Sequence, residues 1–162
     1  MEIRYLKILL VIFVSLIGLL NATQNMVNLD AAYYFVATVA GMEGHTFYPN
    51  HLGPGFQNSF LVWAVLAGII LGEYLVGFLA AKGAWDMWQA RAEAPAKFQK
   101  AKKFAVLGCA MALIVWYGLF TVIGGGYFQM WQTELGLASL EGAFQYAATT
   151  GIVLLFIHMK DD

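Results

Sequence analysis

Four continuous apolar runs divide the chain, at about 3–20, 59–81, 104–123 and 140–158. Each is 18 to 23 residues long. A helix rising about 1.5 Å per residue needs roughly 20 residues to cross about 30 Å of hydrocarbon, so the lengths suit membrane spans. The runs do not alternate apolar with polar as barrel strands do, and within lipid that leaves helices. The pattern predicts an all-α fold, an integral membrane four-transmembrane-helix bundle forming one domain over 1–162. The first run, preceded by Arg4 and Lys7, also has the shape of a signal peptide. No small-residue cleavage site follows Leu20, so it is taken as a retained span.

The connections carry the other signals. The first outer loop, 21–58, is long enough to need structure of its own. Asn28 or Asp30 is placed to cap a short helix over 31–39, and Tyr33, Tyr34 and Phe35 suggest that this helix lies at the membrane interface. Glycines and prolines from Gly41 to Gly55 then predict irregular chain. Gly124-Gly125-Gly126 is expected to end the third span and let the backbone turn. Behind it Tyr127, Phe128, Met130, Trp131 and Gln132 form a candidate outer-loop interface. In the middle connection the second span is expected to continue out of the membrane through Trp85–Arg91, and Pro95 to break or start a helix.

Composition sharpens this picture. The chain is 60% hydrophobic and only 12% charged, where soluble domains carry about 25% charged residues. A net charge of −1 gives no global field for nucleic acid, which is not expected as a partner. The nine Lys and Arg are all on one side: Arg4 and Lys7 before the first span, six between the second and third, and Lys160 after the fourth. The loops 21–58 and 124–139 hold none. The positive-inside rule therefore predicts cytoplasmic N- and C-termini and a cytoplasmic middle loop. The six middle-loop cations are set to meet anionic lipid head groups of the bilayer.

Candidate chemistry is sparse. Glu73 is the one charge well inside a span. At a helix centre an ionised side chain costs at least about 2.5–3.5 kcal/mol, so something must offset it. Proton relay, ion site and ligand anchor are the functional readings, and a hydrogen-bonded acid fixing helix packing is the structural one. Beside it Ala64, Gly68 and Gly72 lie four apart and Gly77 shares the face of the acid, a small-residue stripe for close approach of a helix or a partner. Cys109, the single cysteine, sits in an apolar run and suits packing. His45, His51 and Glu43 are too few for a closed zinc site, so no metal is expected. No histidine lies mid-span to hold a haem, and no cofactor is expected. Ser15 and Ser59 have no base in helical register, and Gly124-Gly125-Gly126 has no following Lys to bind phosphate.

Several motifs occur together in order: Asp30, Phe35-Val36 and Met42; Glu73; Phe98-Gln99-Lys100-Ala101-Lys102; Trp116 and Gly118; Gly124-Gly125, Phe128 and Met130-Trp131-Gln132; Ala143-Phe144. In these the chain resembles the bacterial family of predicted small integral membrane proteins catalogued as DUF2165, over nearly its whole length. The glycine pair followed by Phe128 and Met130-Trp131-Gln132 is the most specific part. The chain departs from the pattern at Gly126, where many relatives carry an acid. The resemblance implies four spans and a bacterial inner membrane. It implies no activity, but it adds weight to Glu73 and to the Met130-Trp131-Gln132 loop.

The sequence thus favours a non-catalytic accessory or stabilising subunit that binds other membrane protein subunits through the glycine face and the aromatic outer loops. Two alternatives stay open. One is proton, ion or small-solute transport centred on Glu73, for which neighbouring spans offer only Ser15, Thr149 and Thr150. The other is binding of a lipid or quinone in a cleft beside Glu73.

Overall fold

In hydrocarbon every backbone N–H and C=O must be satisfied within the chain, and the fold meets this with helices almost throughout. The computed structural model describes residues 2–161. Helix α1 runs Glu2–Val27, α2 Leu29–Gly41, α3 Ser59–Gln89, α4 Pro95–Ala101, α5 Lys103–Ala112 and α6 Glu134–His158. From Leu113 to Tyr127 α5 continues as a π-helical stretch, and a short 3-10 turn follows at Met130–Gln132. Four helical segments are long and apolar enough to cross a membrane: Glu2–Val27, Ser59–Gln89, Pro95–Tyr127 and Glu134–His158.

The helices run longer than the apolar runs that announced them. Helix α1 passes Leu20 because Asn21–Val27 contains no proline or glycine to stop it. It breaks at Asn28, whose backbone leaves the helical region (φ −119°, ψ 45°). Asn28 does stand at the start of α2, but its side chain makes no cap and donates instead to the Gln24 carbonyl at 2.9 Å. Helix α3 continues beyond the apolar run to Gln89, and Pro95 opens α4 at its first position, as expected of a residue without an N–H. The triple glycine does not end the third span. Helical bonding widens to the i+5 pattern, with the Phe128 amide donating to the Ile123 carbonyl at 3.0 Å, and the Thr121 side-chain hydroxyl separately donates to the Trp116 carbonyl at 3.2 Å. Wide turns of this kind gather at functional sites.

Lipid offers no hydrophobic drive between helices, so close backbone approach holds them together. A Cβ on Gly18 would lie 2.7 Å from the Glu73 carbonyl oxygen and the Gly77 nitrogen, which brings α1 against α3. The Ser15 hydroxyl adds a bond to the Gly77 carbonyl at 2.8 Å. Gly83 lies against the Ala105 backbone and Gly108 against that of Ala80, bringing α3 against α5. The apolar core along these seams includes Val11, Val14, Val76, Cys109 and Ala112.

The end of the bundle that carries the basic residues is tied by side chains. Arg4 donates to the carbonyls of Arg91 (3.0 Å) and Glu93 (2.7 Å) and stacks over the Phe98 ring. Lys7 reaches Asp161 at 2.9 Å and the Met159 carbonyl at 2.8 Å. Lys102 bonds the other oxygen of Asp161 and the same carbonyl. Burial raises the pKa of the Asp161 carboxyl, but the hydrogen bonds and charges of Lys102 and Lys7 outweigh it and hold the group below its ordinary value.

Candidate functional site

Glu73 sits in the middle of α3 and is 2% exposed. Its Oε2 accepts a hydrogen bond from Asn25 Nδ2 of α1 at 2.8 Å. Among the described hydrogen bonds none reaches Oε1. The meeting is possible because helical side chains tilt toward their own N-termini. In antiparallel α1 and α3 those tilts converge, so two residues at different heights reach each other.

Asn25 belongs to a row. Asn21, Gln24 and Asn25 fall on one face of the last two turns of α1, and Asn28, the residue after its end, follows at i+7 from Asn21. The row and Glu73 line a cavity of ≈ 420 Å³ between α1, α2, α3, the π-helical stretch and α6. Much of the rest of the lining is aromatic. Phe35 of α2 stacks on Phe120 with ring centres 6.4 Å apart, and Trp116 tilts against Tyr146 of α6 at 5.1 Å. Beyond the Phe35–Phe120 pair lies a second chamber of ≈ 170 Å³, lined by apolar side chains including Val39, Phe56 and Leu119. Phe35, Val36, Ile69 and Phe120 belong to both walls. Gln24 of α1, Asn28 at the junction of α1 and α2, and Leu135 of α6 are exposed, so the polar chamber reaches the bundle surface between these helices.

The small-residue stripe divides. A Cβ on Gly72 would lie 2.8 Å from Val115, and Gly77 packs on Leu19, so both face inward. Ala64 is exposed, and Gly68 has no neighbouring atom within 4 Å of where a Cβ would stand.

The outer-loop residues turn to their own chain. Gln132 is buried; its Oε1 accepts from the amides of Phe47 (3.0 Å) and Tyr48 (2.9 Å), joining the two outer loops. Trp131 meets Tyr48 edge to face at 5.4 Å, and Phe128 meets Phe56 at 5.8 Å. Tyr127 donates to the Pro54 carbonyl, and Met130 is buried with its sulfur against Gly124.

Of the polar residues expected near Glu73, Ser15 bonds the Gly77 carbonyl and Thr149 the Gln145 carbonyl, and Thr150 is buried. Its partner Asn25 lay in a segment expected to be loop. The signal was the spacing of the four amides, legible once α1 is allowed to continue past Leu20. His45 and His51 stand with ring centres 5.3 Å apart in the outer loop. Burial, and then the neighbouring His51 charge, lower the pKa of His45. Among the described residues no group of three or more His, Cys, Asp and Glu side chains is placed to hold a metal ion.

A family model described as predicted small integral membrane protein (DUF2165) matches residues 3–160. No curated protein and no solved structure matches the chain.

Proposed function

Since the chain belongs to the DUF2165 family of predicted small integral membrane proteins, its cavity lies among helices that cross a bilayer, and we propose that it binds an amphipathic small molecule of the lipid or quinone class drawn from that bilayer. The observation that carries this reading is the hydrogen-bonded Glu73–Asn25 pair at the wall of a cavity that reaches the bundle surface. Polar groups facing hydrocarbon are costly, and intramembrane ionisable residues face cavities or partners for that reason. A ligand with a polar head offsets the cost at Glu73 and the amide row, and its apolar part has the second chamber to occupy.

The reading is non-catalytic. The polar chamber offers one acid and no second acid, histidine or lysine to complete a relay or a catalytic pair. The nine-to-zero distribution of Lys and Arg supports a placement with both termini cytoplasmic, and we take the membrane to be a bacterial inner membrane.

A second reading is an accessory or stabilising subunit of a larger membrane complex. The exposed Ala64 and Gly68, with open space over Gly68, favour it. Mass spectrometry of the protein purified from native membranes in mild detergent tests both. A small molecule retained by the wild type and lost from Gly142→Phe, which fills the cavity from α6, supports the binding reading, and no retained molecule in either counts against it. Stoichiometric larger subunits released by Gly68→Leu support the second reading.

A further inference from the structure

The cavity wall says what charge its ligand carries. Three of the four amides of the α1 row already use an N–H within the protein: Asn21 to the Ile17 carbonyl at 2.9 Å, Asn25 to Glu73 at 2.8 Å and Asn28 to the Gln24 carbonyl at 2.9 Å. Their carbonyl oxygens accept no described hydrogen bond, and neither does Glu73 Oε1. Each amide nitrogen carries two N–H groups, so the row can still donate as well as accept, and what gives the chamber its sign is its one charged group, an acid. Phe35, Phe120, Trp116 and Tyr146 share the chamber's lining with the acid. An aromatic lining beside a single carboxylate is the surrounding that an organic ammonium prefers, because ring quadrupoles and a carboxylate both attract a cation and neither needs it to be small or strongly hydrated. A head group that is only a phosphate or a carboxylate, with no ammonium of its own, would meet Glu73 as a like charge and would find no cation among the lining residues.

We propose that the cavity is a site for a lipophilic organic cation: an ammonium head held by Glu73 within the aromatic walls, with its apolar tail passing the Phe35–Phe120 pair into the second chamber. This narrows the binding reading given above and rests on it. Two sources share the chemistry, a free hydrophobic amine and the ammonium head group of a membrane lipid.

The test uses the full chain in nanodiscs of neutral lipid, with radiolabelled dodecyltrimethylammonium as the probe. Dodecanol, matched in tail and uncharged, and lysophosphatidylethanolamine are the competitors. The expected result is saturable binding near one probe per chain that dodecanol does not displace. Glu73→Gln should weaken it by about tenfold or more, the loss that accompanies removal of a charged hydrogen-bond partner. Gly142 lines the chamber with no atom within 4 Å of where a Cβ would stand, so Gly142→Phe should abolish binding by occupying the chamber while the acid is retained; it decides whether the probe binds in this chamber if Glu73→Gln does not fold. Competition by the lysolipid identifies a lipid head group as the source, and its failure identifies a free amine; both support the cation site. Equal displacement by dodecanol, or unchanged affinity in a folded Glu73→Gln, overturns the cation specificity and leaves a general amphiphile site. Absence of saturable binding by the cation and by labelled dodecanol alike overturns both readings.

Discussion

Asn25 donates to Glu73 across 2.8 Å, and this bond joins the last turns of the first span to the middle of the second. Burying an acid at that depth is tolerable only with a donor, and Asn25 is the one described. Removing it by Asn25→Leu leaves a group that is 2% exposed without its partner, at a cost of about 1–3 kcal/mol. Asn25→Leu should therefore lower the melting temperature in detergent, while Glu73→Gln, which keeps an acceptor for Asn25, should lower it less. Combining Asn25→Leu with Glu73→Leu removes both polar partners and should recover much of the loss. A double-mutant cycle read by thermal denaturation checks this, and additive effects would show that the two side chains do not interact.

The Asp161 clasp makes a prediction in pH. Two ammonium groups, Lys7 and Lys102, converge on a carboxylate whose side chain is 1% exposed. Asp161→Asn leaves two buried cations without their counter-charge and should destabilise the protein at neutral pH by about 3–5 kcal/mol, as when one partner of a buried pair is removed. The pKa of Asp161 is lower in the folded protein than its ordinary value of 3.8. The unfolded chain then binds the proton more readily, so the carboxylate's contribution is complete above the ordinary value and is lost as pH falls through the depressed one. Melting curves of wild type and Asp161→Asn should differ by a constant amount from pH 7 down to about pH 4 and converge only in stronger acid. Convergence already at pH 6 would remove the clasp as the cause.

The fold was legible in the sequence because hydrophobic run length is a direct reading of bilayer thickness. The end of the first span was less so, since a membrane helix continues into polar sequence until something stops it and Asn21–Val27 contains nothing that does, whereas the run of α3 through Trp85 to Gln89 was expected. The turn expected at Gly124–Gly126 does not form, for a related reason. In lipid a glycine's unpaired backbone is costly, so the chain kept bonding in wider turns through Tyr127. Glu73 was visible as a lone charge, but its partner and the aromatic walls were not. They come from four other helical segments, and which faces meet depends on close approaches that no periodicity reports.

Those approaches are a prediction in themselves. The seams between spans run through Gly18, Gly83 and Gly108, none of which belongs to the stripe that sequence spacing singled out. A methyl on Gly83 would collide with the backbone of Ala105, and one on Gly108 would lie 2.7 Å from the Ala80 nitrogen. Backbone cannot move aside as a side chain can, so Gly83→Ala and Gly108→Ala should each destabilise by about 1–3 kcal/mol. Gly68→Ala and Gly142→Ala meet no atom within 4 Å and should be near neutral. Thermostability measured by fluorescence-detected size exclusion separates the two pairs, and a tolerated Gly83→Ala would argue against the α3–α5 seam.

Gln132 ties the outer loops by geometry that only an amide or acid can supply. Its one carbonyl oxygen takes the amides of Phe47 and Tyr48, and its nitrogen reaches Gln129 Oε1 at 2.7 Å. Gln132→Leu keeps the bulk but strips two backbone N–H groups of their acceptor, and such groups then turn to water if they can reach it. The consequence is local, because Phe47 and Tyr48 are themselves exposed and belong to no helix. Amide hydrogen exchange at Phe47 and Tyr48 should accelerate by about an order of magnitude or more, the factor that corresponds to losing about 1.4 kcal/mol of protection. Exchange within α3 and α5 should not change. If the spans loosened as well, the outer loops would be clamping the bundle, and Gln132 would belong to its stability rather than to the shape of the surface.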